Sequence, residues 1–342
     1  MRPGEPSSAG IARKHQADRR IANVTYLEIA GGLILLIVGA ELLVRGSVGV
    51  ARQLGVSPML IGLTLVGFGT SSPELVASIA GALRESPGIA VGNVVGSNIC
   101  NVFLILGLSA VFLPLSISRK AFIRDGSVLL VVTLVLVGLA FYGSLSRVVG
   151  VVLVAALAAY LFFSYRQEKQ SGDAVHVHEA EAASVPSLDG SRALGIAAAL
   201  GGLAVLVGGA YLLVEGAIEL ARGFGVSETI IGLTIVAIGT SLPELATSVI
   251  AAVRRQSDVA FGNVVGSCVY NVLGILGVTA IVHPIDIPPE IAGFDVWVML
   301  ASAVLLSVFA ITGWRIARWE GAVLLALYAL YIGHLVRVAA VV

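Results

Sequence analysis

The sequence predicts an all-α integral membrane protein of ten transmembrane helices, arranged as two inverted five-helix repeats. Three observations predict it. Hydrophobic residues make up 57% of the 342 and charged residues 12%, about half the roughly 25% charged content of a soluble globular domain. Residues 55–110 align without a gap on residues 225–280, with 30 identities in 56 positions. The polar residues of this duplicated stretch, two glutamates among them, interrupt segments that are otherwise apolar.

A bilayer core is ~30 Å thick and takes about 20 mainly apolar residues per helix. Such segments start near Leu27, Pro58, Pro87, Asp125 and Val148, then again near Ala193, Glu228, Asp258, Ile291 and Arg318. Runs such as Val128 to Leu139 are apolar on every face, which excludes a lipid-facing barrel of alternating strands. Residues 1–22, with Pro3, Pro6, Ser7, Ser8 and several charges, read as a disordered polar tail without the apolar stretch of a signal peptide. Residues 23–165 then form the first repeat, 166–192 a polar linker on the cytoplasmic side, and 193–342 the second repeat. A formal net charge of zero gives no reason to expect nucleic acid as a partner. Cys100 and Cys268 lie in apolar segments, imply no disulfide framework and read as small packing residues. His176 and His178, followed by Glu179 and Glu181, have the composition of a metal cluster, although such a pair in a polar loop is usually just solvated.

Two long apolar copies are the usual sign of a transporter, whereas a soluble solenoid repeats many times at a shorter period. Five spans per copy is an odd number, so the second copy enters the membrane from the opposite side. With an external N-terminus, the inner loops hold twelve basic residues: Arg45, Arg52, Arg119, Lys120, Arg124, Arg166, Lys169, Arg192, Arg254, Arg255, Arg315 and Arg318. The outer loops and C-terminal tail hold Arg84, Arg147, Arg222 and Arg337. Against this stand the tail charges Arg2, Arg13, Lys14, Arg19 and Arg20. The bias over five loops favours both termini outside.

Glu74 and Glu244 are the candidate chemistry. An ionised carboxylate in a span costs about 2.5 kcal/mol or more and needs compensation. A single glutamate could be protonated and hydrogen-bonded to a neighbouring helix, but equivalent positions in inverted repeats meet near the midplane, where two can converge on one cation. Pro73 and Pro243 precede them and crowd the carbonyls of Gly69 and Gly239. That is either a purely structural kink or an unwinding that turns oxygens near Gly69, Thr70, Gly239 and Thr240 toward an ion. Asn93, Ser97 and Asn101 are spaced by four, as are Asn263, Ser267 and Asn271, and this places each trio on one helical face. Hydrogen bonding between helices competes with ion ligation for these side chains. Gly92, Gly96, Gly262 and Gly266 let another helix approach. The donors are all oxygens, which favours Ca²⁺ over Zn²⁺ or Cu⁺. An intramembrane hydrolase with Ser71 or Ser241 as nucleophile would explain one site, not two.

These motifs resemble a known family. GTSSPEL at Gly69 and GTSLPEL at Gly239, followed by GNVVGS at Gly92 and Gly262 and by Asn101 and Asn271, are similar to the alpha repeats of the calcium/cation antiporter superfamily, specifically the membrane domain of sodium/calcium exchangers. The resemblance covers nearly the whole chain. It implies a site built by the second and third helices of each half, with alternating access by movement of the first and sixth. It assigns Glu74 and Glu244, with the carbonyls of Thr70 and Thr240, to Ca²⁺. It adds Ser71, Ser241, Ser97, Ser267, Asn101, Asn271 and the Gly67 and Ala237 carbonyls around Na⁺ sites. The short linker leaves no room for the large regulatory domain of animal exchangers. The expected function is secondary active exchange of Ca²⁺ for Na⁺, electrogenic, without enzymatic activity or a cofactor, by a monomer in the lipid bilayer of a prokaryotic inner membrane. Ca²⁺/H⁺ exchange is the alternative. The proton-coupled branch typically carries Gly-Asn where this chain has Gly-Thr-Ser at Gly69 and Gly239. The potassium-dependent branch carries Asp at the position of Asn271.

Overall fold

A computed structural model describes residues 8–54, 67–119, 122–171, 191–253 and 255–341. The first half comprises α1 (Ser8–Gln53), α2 (Gly67–Thr70), α3 (Ser72–Leu83), α4 (Pro87–Phe112), α5 (Phe122–Tyr142) and α6 (Arg147–Ser171). The second comprises α7 (Arg192–Phe224), α8 (Glu228–Thr240), α9 (Leu242–Val253), α10 (from Ser257–Tyr270 on through Leu276–Val282), α11 (Ile291–Ile311) and α12 (Arg318–Val341). Four two-residue strands complete it: β1 (Leu115–Ser116), β2 (Ser144–Leu145), β3 (Ile285–Asp286) and β4 (Arg315–Ile316).

Local chemistry sets the ends of these helices. Ser191 caps α7, its hydroxyl accepting from Leu194 N, and Ser227 caps α8 in the same way through Ile230 N. Gly143 ends α5 at φ 84° and Gly225 ends α7 at φ 66°, both in the left-handed region that glycine enters without strain. At the N-terminus the chain departs from expectation, because residues 8–22, expected as a disordered tail, are the first turns of α1. No proline lies between Pro6 and Pro58, and Ala, Arg, Lys and Gln dominate residues 8–22, so the helix of the apolar span extends back through good helix formers. Residues 1–7 lie outside the described residues. The linker is also shorter than expected, since α6 runs to Ser171. Residues 172–190, His176 and His178 among them, lie outside the described residues, as does 55–66, where the second span was expected to start.

Eight helices among the described residues are long and apolar enough to cross a membrane, and α8 with α9, bent by 48°, makes a ninth if the pair crosses once. The strands settle that point. β1 pairs antiparallel with β4, and β2 with β3. Paired strands must lie on one face of the membrane, so an even number of crossings must separate β2 from β3. Three come from α6, α7 and α10, and the bent pair must supply the fourth. The tenth span is the equivalent pair α2 and α3, described from Gly67 onward. A single helix, α5, separates β1 from β2, which therefore lie on opposite faces. The strands that follow the third span of each half, β1 and β3, are thus on opposite faces, and the repeats are inverted.

Burial orders the spans into a centre and a rim. Some 83% of the apolar stretch of α4, and likewise of α10, lies inside the protein, against 22% for α6 and for α12. The two central helices are those that carry the asparagine ladders. Outside them α1 and α7 pack antiparallel along a glycine seam. A Cβ on Gly39 would lie 2.6 Å from Leu206 N, one on Gly202 2.4 Å from Leu43 N, and one on Gly32 2.6 Å from Leu213 N. Backbone therefore meets backbone along this pair, the small-residue contact that substitutes for a hydrophobic driving force in lipid.

Candidate functional site

Both broken spans are interrupted at an equivalent serine. Ser71 (φ −88°, ψ 7°) separates α2 from α3, and Ser241 (φ −83°, ψ 7°) separates α8 from α9. Pro73 and Pro243, at the second helical position after each break, have no N–H to donate and hold the interruption open. Glu74 and Glu244 sit in the first turn beyond, where the unpaired N–H groups of a helix start favour a carboxylate.

The breaks face each other across the pseudo-twofold relation. Ser71 Oγ donates to Glu244 Oε1 at 2.9 Å, and Ser241 Oγ to Glu74 Oε1 at 3.0 Å. Each half thus holds the carboxylate of the other. All four residues are at most 1% exposed. Ser71 Oγ also lies 3.3 Å from Ser267 Oγ, and Ser97 Oγ donates to Ala237 O at 3.5 Å. Thr240 Oγ1 donates to Asn93 Oδ1 at 3.1 Å, and its hydroxyl also neighbours Glu74, while those of Thr70 and Ser267 neighbour Glu244.

Four buried oxygens at the centre carry no hydrogen bond: Glu74 Oε2, Glu244 Oε2, Asn101 Oδ1 and Asn271 Oδ1. They are two equivalent pairs, one member from each half. Leaving a buried acceptor unmade costs about 1–3 kcal/mol, more for a carboxylate. The two halves carry this cost at equivalent positions. The other two carboxylates at equivalent buried positions have hydrogen-bond donors. Tyr160 Oη donates to Asp125 Oδ1 at 3.0 Å, with Arg124 paired on the same carboxylate, and Tyr331 Oη donates to Asp295 Oδ1 at 2.8 Å. These fasten α5 to α6 and α11 to α12.

The structure brings Thr70, Ser71, Glu74, Ser97, Asn101, Thr240, Ser241, Glu244, Ser267 and Asn271 to one region, with the Ala237 carbonyl beside Ser97 and Gly67 at the start of α2. The carbonyl of Gly69 accepts from Ser72 Oγ at 2.5 Å, because the residue after the break carries a hydroxyl that reaches back. Asn101 and Asn271 stand at the start of π-helical turns, Cys100–Leu106 and Asn271–Ile275.

Asn93 and Asn263, earlier on the same helices, brace the glutamates through their main chain. Asn93 Nδ2 donates to Glu74 O at 3.0 Å and to Ser78 Oγ at 2.9 Å; Asn263 Nδ2 makes the same pair of bonds to Glu244 O at 3.4 Å and Ser248 Oγ at 2.8 Å. Ser78 and Ser248 had gone unnoticed in the sequence, though both are identities of the repeat. Gly92 and Gly96 bring α4 against α8, where a Cβ on Gly96 would lie 2.6 Å from Leu233 O. A Cβ on Gly262 or Gly266 would meet nothing within 4 Å among the described residues. Over both breaks lies α1: a Cβ on Gly69 would meet Val44 Cγ2 at 2.0 Å, and one on Gly239 would meet Leu33 Cδ2 at 2.3 Å.

The family model described as sodium/calcium exchanger protein matches residues 25–166 and 194–337, one match per repeat. A putative antiporter CaxA of Alkalimonas amylolytica is 37% identical over 90% of this chain and 97% of its own length. The sodium/calcium exchanger MaX1 of Methanosarcina acetivorans is 34% identical over 90% and 97%. The solved structure of the sodium-calcium exchanger NCX_Mj soaked with Na⁺ and Sr²⁺ superposes with a TM-score of 0.60 at 31% identity, covering 91% of this chain and 98% of that one. With the repeats, the inverted topology and the paired breaks already in place, the conclusion is direct: this chain belongs to the sodium/calcium exchanger family.

Proposed function

We propose that the chain is a secondary active antiporter that exchanges Ca²⁺ for Na⁺ by alternating access. One observation carries the reading: two carboxylate and two amide oxygens, contributed in equivalent pairs by the two halves, lie buried with no hydrogen-bond donor. Ca²⁺ takes six to eight oxygens in flexible geometry, and two carboxylates balance its charge. Glu74 and Glu244, with the Thr70 and Thr240 carbonyls, hold Ca²⁺. Ser71, Ser97, Asn101, Ser241, Ser267 and Asn271, with the Gly67 and Ala237 carbonyls, complete the Na⁺ positions. A proton would need only a titratable carboxylate, not hydroxyls from the opposite half poised on each. Exchange of one Ca²⁺ for three Na⁺ moves one positive charge. The inverted repeats suit a path that opens to either side, and a single scissile bond would have no use for them. The protein works as a monomer in the inner membrane of a prokaryotic cell, with both termini outside as the loop charges favour.

The deciding experiment is Ca²⁺ uptake into proteoliposomes, driven separately by an outward Na⁺ gradient and by a pH gradient. Uptake with Na⁺ alone is expected. Robust uptake on the pH gradient in Na⁺-free medium would transfer the assignment to Ca²⁺/H⁺ exchange, and no uptake under either would overturn it.

A further inference from the structure

The two neutral amides of the site, Asn101 and Asn271, are equivalent in the repeat, but their supports are not. The residue three before Asn271 is Cys268, and three before Asn101 is Asn98. These two cross over. Asn98 lies beside Cys268 of the opposite half, its Nδ2 donating to Cys268 O at 3.2 Å and reaching Met299 Sδ at 3.6 Å. Its Oδ1 accepts from Asn271 Nδ2 at 2.9 Å. Asn101 in turn neighbours the Cys268 thiol. Asn98, Asn101, Cys268 and Asn271 are all at most 2% exposed.

The chain of bonds runs in one sense only. A main-chain carbonyl can only accept, so Cys268 O requires the NH₂ of Asn98 to face it. That turns Asn98 Oδ1 toward Asn271, which must answer with its own NH₂. The remaining atom of Asn271, Oδ1, is thereby left pointing away from Asn98, and it is one of the four oxygens with no donor. For Asn101 the corresponding support is sulfur, a weak acceptor that fixes an amide far less firmly.

We infer that Asn98 is a positioning residue, which locks the Asn271 side chain with its oxygen toward the cation while Asn101 is left the more adjustable ligand. This rests on the proposed Na⁺ positions and adds to them a difference between the halves. Nothing in the repeat signals it, since Asn98 is where the two copies of the motif diverge.

The test uses the full chain in proteoliposomes and reads KM for Na⁺ and maximal rate in Na⁺-driven Ca²⁺ uptake. Asn98→Ala frees the Asn271 amide to turn its NH₂ to the ion, and KM is expected to rise about five- to tenfold, the scale of one buried hydrogen bond. Maximal rate stays within roughly twofold, because no ion ligand is removed. Asn98→Cys copies the support found in the other half and keeps the packing, and it should raise KM by a smaller factor; it also carries the test if the alanine variant does not fold. The decisive arm is the Asn271→Asp background, whose carboxylate presents an oxygen in either orientation. There Asn98→Ala should add less than a twofold change. An unshifted KM in both single variants, or an equal shift with Asn271→Asp, would overturn the inference, since a residue that merely packs acts alike in both backgrounds. Absence of Ca²⁺ uptake by the unaltered chain would instead overturn the proposed function beneath it.

Discussion

Ser71 and Glu244 stand 173 positions apart, yet the hydroxyl of one donates to a carboxylate oxygen of the other at 2.9 Å, and the bond recurs between Ser241 and Glu74. The serines thus fix one oxygen of each glutamate, and the second is left without a donor. Replacing both, Ser71→Ala with Ser241→Ala, should weaken the Na⁺ dependence of Ca²⁺ flux, raising half-saturating Na⁺ about tenfold. Ca²⁺ binding should survive, because the carboxylates and the Thr70 and Thr240 carbonyls remain. A Na⁺ titration of uptake measures it, and an unchanged Na⁺ dependence would contradict the role given to the hydroxyls.

Glu74→Gln and Glu244→Gln each keep the side-chain shape and an oxygen for the serine opposite, but remove a charge. Ca²⁺ exchange should fall by roughly a hundredfold or more, the equivalent of about 3 kcal/mol for breaking a buried charge pair. The variants should still elute as folded protein. Normal flux in either one would remove the carboxylates from the site.

Under the proposed exchange, with Asn101 and Asn271 uncharged, two carboxylates would be balanced by one Ca²⁺ or two Na⁺, and a third Na⁺ would leave net charge moving. Uptake should therefore respond to a potential clamped with valinomycin and proceed without K⁺. Insensitivity to potential would mean electroneutral exchange.

Gly39→Ala places a methyl 2.6 Å from Leu206 N at the middle of the α1 and α7 seam. Rigid helix backbone can yield only by the two helices separating, at a cost of about 1–3 kcal/mol. A lower melting temperature and slower uptake are expected. Gly31→Ala, on the same helix with nothing within 4 Å, is the control and should change neither. Equal effects in both would show that helix propensity, not the seam, is responsible.

Much of this was legible in the sequence because duplication made it so. Glu74 with Glu244, and Ser71 with Ser241, could be picked out as equivalent polar residues in apolar surroundings, and an odd span count dictated inversion. The cross-half partners could not be read, since periodicity describes one helix at a time and says nothing of which hydroxyl meets which carboxylate. The π-helical turns under Asn101 and Asn271 were hidden for a similar reason: their wider winding answers to packing, and no residue type announces it. Asn98 was missed because attention to identity between repeats passes over the place where they differ. The helix at residues 8–22 is hard to read from sequence because its charges resemble those of a disordered tail, although its residues are good helix formers.

The two small strand pairings, β1 with β4 on one face and β2 with β3 on the other, also govern the order in which the molecule can be completed. Each joins a segment of the early half to one made much later, so a nascent chain that has inserted its first five spans still has both edges open. Such an intermediate holds Ser71 without Glu244 and Glu74 without Ser241, and its apolar interior faces lipid where α10 will lie. Biogenesis in the bilayer is therefore a closing step between two inserted bundles, and the ion pathway comes into existence only when that step is made.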